Sequence, residues 1–163
     1  MACARQILTQ GTAVDMTDPF FSGQSWLFQF AERGFHLLLG VLQIISGLDW
    51  LSIFRYIPSV IFVMTLLATY IMGKRHGFGL ESAFFVSLLP TTIGILGPAF
   101  LVPVATGLPF IPLSLLIVHN IDNWKGSIIL AFFIFFLLIV HAYTAIAVFI
   151  ICFPYLLFKA KGN

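Results

Sequence analysis

The sequence predicts an all-α fold: a polytopic transmembrane helix bundle with four to five short spans and a preceding amphipathic helix. Three observations predict it. The 163 residues are 60% hydrophobic and 9% charged, against ~25% charged in an average soluble domain. The mean hydropathy is +1.06, and so few polar side chains cannot cover a water-facing surface of this size. Apolar runs of crossing length alternate with short polar loops, "KRHGFG" at 74–79 and "HNIDNWKG" at 119–126. The formal charge of +2 and the pI near 8.7 are too mild for a nucleic-acid partner, and no basic patch or zinc-ligand spacing points to one.

Residues 1–25 read as a polar outer segment. "MACARQILTQGTAVDM" has no apolar core of the kind a signal peptide needs, and residue 2 is not the glycine that myristoylation requires. The stretch "AVDMTDPFFSGQSW" holds Asp15 and Asp18, two of the six acidic residues of the chain. Residues 26–51 read as an amphipathic helix and its exit. Gln29, Glu32, Arg33, His36, Gly40, Gln43 and Ser46 recur every three or four residues and so share one face. Gly47 is a plausible stop, and Asp49 and Ser52 are candidate caps of the next helix.

Residues 52–163 read as the transmembrane bundle. The first span is 53–73, about 20 residues, which matches a ~30 Å hydrocarbon core. Pro58 falls early in it, where packing or water can take over the freed carbonyl. From Glu81 to His119 the chain is apolar but broken by Pro90, Pro98, Pro103, Pro109 and Pro112. It reads as two short spans, 80–96 and 100–118, turning at Gly97-Pro98, or as a re-entrant hairpin. Residues 127–158 would make a helix ~48 Å long, too long for one straight crossing. The interruption at His141, Tyr143 and Thr144 favours two helices, 127–140 and 144–158, with one long projecting helix the alternative. Cys152, in this run and far from Cys3, reads as a small packing residue.

The cations orient the bundle. One side receives Lys74, Arg75, Lys125, Lys159 and Lys161; the other receives Arg5, Arg33 and Arg55 beside Asp15, Asp18, Glu32 and Asp49. The positive-inside rule then puts the chain in the cell membrane as a multi-pass protein, with the C-terminus cytoplasmic and the N-terminal segment outside.

Four groups carry possible chemistry. Asp15 and Asp18, on an outer loop pinned by Pro19, Phe20 and Phe21, could hold a divalent cation such as Mg or Mn; the plainer reading is a solvated tail. Glu32 and His36 are i,i+4 neighbours able to move a proton or help bind a metal, with His36 a candidate substrate contact, or simply the wet side of an interfacial helix. His141 interrupts the most apolar stretch, where ionisable groups are costly and often functional, or else it marks a surface turn. Lys74, Arg75 and His76 read as a cytoplasmic anchor, with an anionic-lipid contact as the alternative. There is no G-x-S-x-G, H-E-x-x-H or P-loop.

Taken in order, "DPFF", "RGFHLLLGVLQIISGLDWLSIFRYIPSVIFVMTLLATYIMGKRHG", "ESAFFVSLLP", "LGPAFLVPVATGLPFIPLSLLI" and "LLIVHAYTAIAVFI" form a series. It resembles the front portion of multispanning archaeal and bacterial glycosyltransferases of the GT-C class, including oligosaccharyltransferase-like proteins. The resemblance covers roughly 15–158. It implies transfer of a sugar or glycan from a polyprenyl-phosphate-linked donor on the outer face. It implies Asp18 as the catalytic residue, binding a divalent metal or acting as base for the acceptor, Asp15 as a weaker candidate and second metal ligand, and His141 near the donor phosphates. Ala142 stands where the pattern has Pro after His. Residues 1–14 are too short to supply the span that such proteins carry ahead of the acidic loop, so the chain reads as a partial module. The other readings are a non-catalytic membrane subunit packed on a larger membrane protein, and a small transporter component lined by the polar stripe of 29–43.

Overall fold

The structure, a computed structural model, describes residues 2–11, 33–88, 101–119 and 124–161. These form α1 (Ala2–Gln10), α2 (Arg33–Ser46), α3 (Trp50–Lys74), α4 (Gly79–Leu88), α5 (Pro103–Gly107), α6 (Phe110–His119), α7 (Trp124–Val140) and α8 (Ala142–Lys161). No strand occurs among the described residues, and the fold is all-α. Of the described helices, α3 is long and apolar enough to cross a membrane by length and composition. The other apolar stretches, Arg33–Ser46, Gly79–Leu88, Pro103–His119, Trp124–Val140 and Ala142–Phe158, are shorter.

Local chemistry sets the boundaries. Gly47, at φ 64°, ends α2 with its N–H donating to the Gln43 carbonyl at 3.0 Å, a left-handed stop that glycine adopts without a Cβ penalty. Asp49 then caps α3. Its carboxylate accepts from the Ser52 N–H at 2.8 Å and from the Ser52 hydroxyl at 2.9 Å. Those bonds, the backbone one first, hold the exposed Asp49 carboxyl below the usual carboxylate range. At the far end of α3, Gly77 at φ 86° turns the chain into α4. The two helices pack tightly, for a Cβ on Gly73 would fall 2.8 Å from Ser82 Cβ and 2.9 Å from the Phe78 carbonyl oxygen.

The expected span 100–118 is two helices instead of one. Pro109 has no N–H to continue the helical ladder, and the chain tightens around it. Ala105 donates to Val102 at 3.0 Å, Leu108 to Ala105 at 3.3 Å and Ile111 to Leu108 at 3.2 Å, all i→i+3 bonds. The expected break in 127–158 is present. Here α7 and α8 are separated by His141 alone, so α8 begins two residues earlier than the composition indicated. Phe110 packs on Phe133 and Phe136 at 5.0 and 5.2 Å between ring centroids, which makes α7 antiparallel to α6. Gly107 abuts Thr144 at the start of α8, and His119 bonds Tyr155 near its end, so α8 runs back alongside α6.

Two apolar clusters hold the helices. One joins Ala4, Phe35, Leu39, Ile53, Ile61, Leu101 and Val140. The other joins Val118, Leu130, Leu137, Ala145, Val148 and Cys152, where Cys152 is a buried, unbridged thiol. Gly34 lets α2 close onto α7: a Cβ there would overlap the Ile139 carbonyl oxygen and Cγ2. Because the obstacle includes backbone, it cannot rotate away. Gly34→Ala is therefore expected to destabilise the fold by about 1–3 kcal/mol, read as a lower unfolding temperature of the purified protein. Leu37→Ala on the exposed side should leave it nearly unchanged, and an unshifted Gly34→Ala would mean that α2 does not dock on α7.

The outside of the molecule is greasy. On α3, Tyr56, Val60, Val63, Met64, Leu67 and Ile71 form one exposed stripe, while Ile61, Thr65, Ala68 and Thr69 face inward. Exposure reaches 78% at Ile45, 75% at Leu80, 64% at Phe132 and 78% at Phe158. On α3 the inward face carries Thr65, Ala68, Thr69 and Gly73 beside Ile53 and Ile61, while most of its large apolar groups point out.

Candidate functional site

Asp15, Asp18 and Glu32 lie outside the described residues, as do the Gly97-Pro98 turn and the start of the helix expected from residue 26. The two histidines expected to contact substrate are both placed, on different neighbours. His36 is on the face of α2 that carries Gly40, and Gly40 sits against Leu8 of α1, where a Cβ would meet its Cδ2 at 3.4 Å. The polar stripe of α2 thus lies partly beneath α1. The His36 Nδ1 is buried with no hydrogen-bond partner among the described residues. Burial holds its imidazole below the usual histidine range, so the ring is neutral at pH 7.

His141 is buried at the joint of α7 and α8. Its N–H donates to the Leu137 carbonyl at 2.7 Å and closes α7. Its carbonyl accepts from the Thr144 and Ala145 N–H groups at 3.1 and 3.3 Å, which opens α8. Its Nδ1 lies 2.7 Å from Thr144 Oγ1 and accepts from the Thr144 N–H at 3.3 Å. The imidazole therefore stands where Ser, Thr, Asp or Asn usually cap a helix. An acceptor Nδ1 carries no proton, so in the neutral ring the proton is on Nε2. Tyr143 packs on the ring at 5.6 Å between centroids. This joint lies at the end of the bundle that also holds the cluster of Phe35, Leu39, Ile53 and Val140.

Inside the bundle the α3 hydroxyls are occupied locally, whereas the buried Ser114 Oγ of α6 has no hydrogen-bond partner among the described residues. Thr65 donates to the Ile61 carbonyl at 2.8 Å and Thr69 to the Thr65 carbonyl at 2.9 Å, the back-bonding that satisfies hydroxyls in apolar surroundings. No group of three or more His, Cys, Asp or Glu residues able to hold a metal ion occurs among the described residues. The metal expected at Asp15 and Asp18 has its proposed ligands outside them.

The opposite end of the bundle gathers a group that the sequence reading left apart. His119 Nδ1 lies 2.6 Å from the Tyr155 hydroxyl. The His76 ring stacks on Phe78 at 5.8 Å and meets His119 edge-on at 5.9 Å. With Met72, Arg75, Leu115 and Leu116 these side chains line a cavity of about 140 Å³. His119 and Tyr155 are 36 residues apart on different helices. Only the antiparallel return of α8 brings them together, and no local spacing announces it.

Comparison with protein families, with characterised proteins and with solved structures found no match for this chain.

Proposed function

We propose that the chain is a polytopic, membrane-embedded helical module of the GT-C kind, serving transfer of a sugar or glycan from a polyprenyl-phosphate donor on the outer face. The observation that carries the membrane part is the exposed apolar surface. A large apolar side chain left in water forgoes about 1.5–3 kcal/mol relative to burial, and such side chains stand exposed on α2, α3, α4, α7 and α8. Lipid removes that cost. The inward placement of Thr65, Thr69 and Ser114 is what helices packed in lipid need, since small and hydroxylated residues let backbones approach.

The lengths agree. The 25 residues of α3 rise ~37 Å, enough for a ~30 Å hydrocarbon core. The apolar stretches of α7 and α8, Trp124–Val140 and Ala142–Phe158, are shorter than that of α3 and lie at the lower limit of the ~17–25 residues that a crossing takes. With α3 descending, α5–α6 descending, α7 rising and α8 descending, Lys74, Arg75 and Lys125 collect at one end. The His141 joint and Asp49 stand at the other. The cation-rich end is the cytoplasmic one under the positive-inside rule.

The sugar-transfer part rests on the motif series and on Asp18 within it. A second reading, a non-catalytic membrane subunit, is favoured by the use of the His141 Nδ1 in capping and of the interior threonines in back-bonding. One experiment separates the two: sugar transfer from a polyprenyl-phosphate donor by membranes carrying the wild-type chain or Asp18→Ala. Thiol labelling of intact cells, with single cysteines placed ahead of Trp26 and after Lys74, tests the topology. The first position is expected to label from outside and the second only after permeabilisation. The reverse pattern would overturn the placement of Asp18 on the outer face.

A further inference from the structure

We propose that the cavity at the cation-rich end, between the ends of α3, α6 and α8, binds a phosphate group, carried either by the headgroup of an anionic phospholipid or by a free phosphate compound. The lining residues are Met72, Arg75, His76, Leu115, Leu116, His119 and Tyr155. Their polar members are a guanidinium, two imidazoles and a phenol, with no carboxylate among the described lining residues; the bond between His119 and Tyr155 uses one of that pair's protons, so the pair counts as a single donor. A guanidinium presents a planar fork of N–H groups that matches two phosphate oxygens at once. The His76 imidazole N–H and the one proton that the His119–Tyr155 pair leaves free complete the kind of donor set that an oxyanion takes up.

The donors are held in place. Phe78 and His119 flank the His76 ring on two sides, and Tyr155 is bonded to His119. Arg75 is the C-cap of α3, with its backbone N–H donating to the Gly73 carbonyl. Three helices therefore each deliver a polar group to one spot. The volume of about 140 Å³ compares with the ~150 Å³ of cavities that take a benzene-sized guest, enough for a phosphate. Met72, Leu115 and Leu116 supply an apolar wall beside the donors, which suits the glycerol and upper acyl carbons of a lipid.

A second hollow near by, of about 230 Å³, is lined by Tyr70, Lys74, Gly77, Gly79, Leu80 and Glu81. It is more open, and the Glu81 carboxylate in it repels an anion. The cavity at Tyr155 is the better anion site by sign as well as by shape. A metal ion is a poorer fit there, since the two imidazoles are joined by no thiolate or carboxylate among the lining residues.

The proposal rests on the membrane reading only for lipid as the source of the phosphate. It is independent of sugar transfer, so an Asp18→Ala chain with unchanged transfer leaves it standing. The test is native mass spectrometry of the full chain released from detergent micelles. It is titrated with phosphatidylglycerol, with phosphatidylcholine of the same acyl chains, and with inorganic phosphate. The expected result is one retained phosphatidylglycerol per chain, held at least about tenfold more tightly than phosphatidylcholine. Arg75→Gln should weaken it about tenfold, the loss of one charge-assisted contact. Tyr155→Phe should weaken it less, and Arg55→Gln, at the other end of α3, should not. Inorganic phosphate that competes at equal affinity assigns the site to free phosphate compounds; failure to compete assigns it to lipid. Equal retention of the two lipids with no phosphate binding would overturn the proposal. So would an Arg55→Gln effect as large as that of Arg75→Gln, because the attraction would then be one of general charge.

Discussion

Membranes carrying Asp18→Ala are expected to hold as much of the protein as wild type and to transfer sugar from a polyprenyl-phosphate donor about 10²–10⁴-fold more slowly, the usual worth of a positioned acid or base. The expectation follows from where carboxylates are scarce. The chain has six acidic residues. Of these, Asp49 is committed to capping α3, and Glu81 lies at the cation-rich end. Of the remaining four, Asp122 follows His119 in the loop assigned to the cation-rich side and Glu32 belongs to the stripe of the amphipathic helix, which leaves Asp15 and Asp18 on the segment that the motif series assigns to the outer face. If Asp18 works as a base, Asp18→Asn should be as slow as alanine. If it works as a metal ligand, the asparagine oxygen keeps part of the coordination and excess Mg or Mn should restore part of the rate. Asp15→Ala should cost less than Asp18→Ala, because Asp18 is the residue that matches the acid of the motif series and Asp15 only a second metal ligand. Transfer unchanged in Asp18→Ala would leave the scaffold reading.

How much of this was legible in the sequence depends on the range of the interaction involved. The all-α character, the Gly47 stop, the Asp49 cap and the turn near His141 are local matters of propensity, missing N–H groups and side chains that reach their own backbone. All four could be read from a few adjacent residues. The split of 100–118 at Pro109 is local too. It was missed because proline is tolerated in membrane helices whenever packing covers the freed carbonyl, and composition alone cannot say whether it does. The surroundings of His36 and the meeting of His76, His119 and Tyr155 were not legible at all. They depend on which helix lies beside which, and an almost uniformly apolar chain gives little periodicity to decide that. In α7, for example, Phe132, Phe135 and Leu138 point outward while Leu130, Leu137 and Val140 point inward, although both sets are equally hydrophobic.

His141→Ala is expected to loosen the return of α8, and His141→Asn to preserve most of it. The joint is a single residue, and its direction depends on the imidazole. Nδ1 accepts from the Thr144 N–H and approaches its hydroxyl, while on the other side Thr144 fills the space over Gly107, where a Cβ would sit 2.6 Å from Thr144 Cγ2. Alanine keeps the main-chain carbonyl that accepts from the Thr144 N–H at 3.1 Å but takes the 2.7 Å partner from the buried Thr144 hydroxyl, at a cost of about 1 kcal/mol. It also has the highest helix propensity of any residue, so the backbone gains a reason to continue straight from Val140 to Ala142. A continuous helix over 124–161 would be ~57 Å long, nearly twice a ~30 Å hydrocarbon core, and could not keep both ends at the membrane surfaces. Asparagine supplies a carbonyl oxygen at the cap position and is among the best N-cap residues. The purified alanine variant should melt lower by about 2–4 °C for each kcal/mol lost, and, under the topology proposed above, a reporter after Lys161 should lose its uniform placement on the cytoplasmic side. The asparagine variant should behave as wild type in both. An alanine variant with an unshifted melting point and a wholly cytoplasmic reporter would show that the packing of α8 against α6 holds the return without the cap, and His141 would then be released for a role toward the donor phosphates.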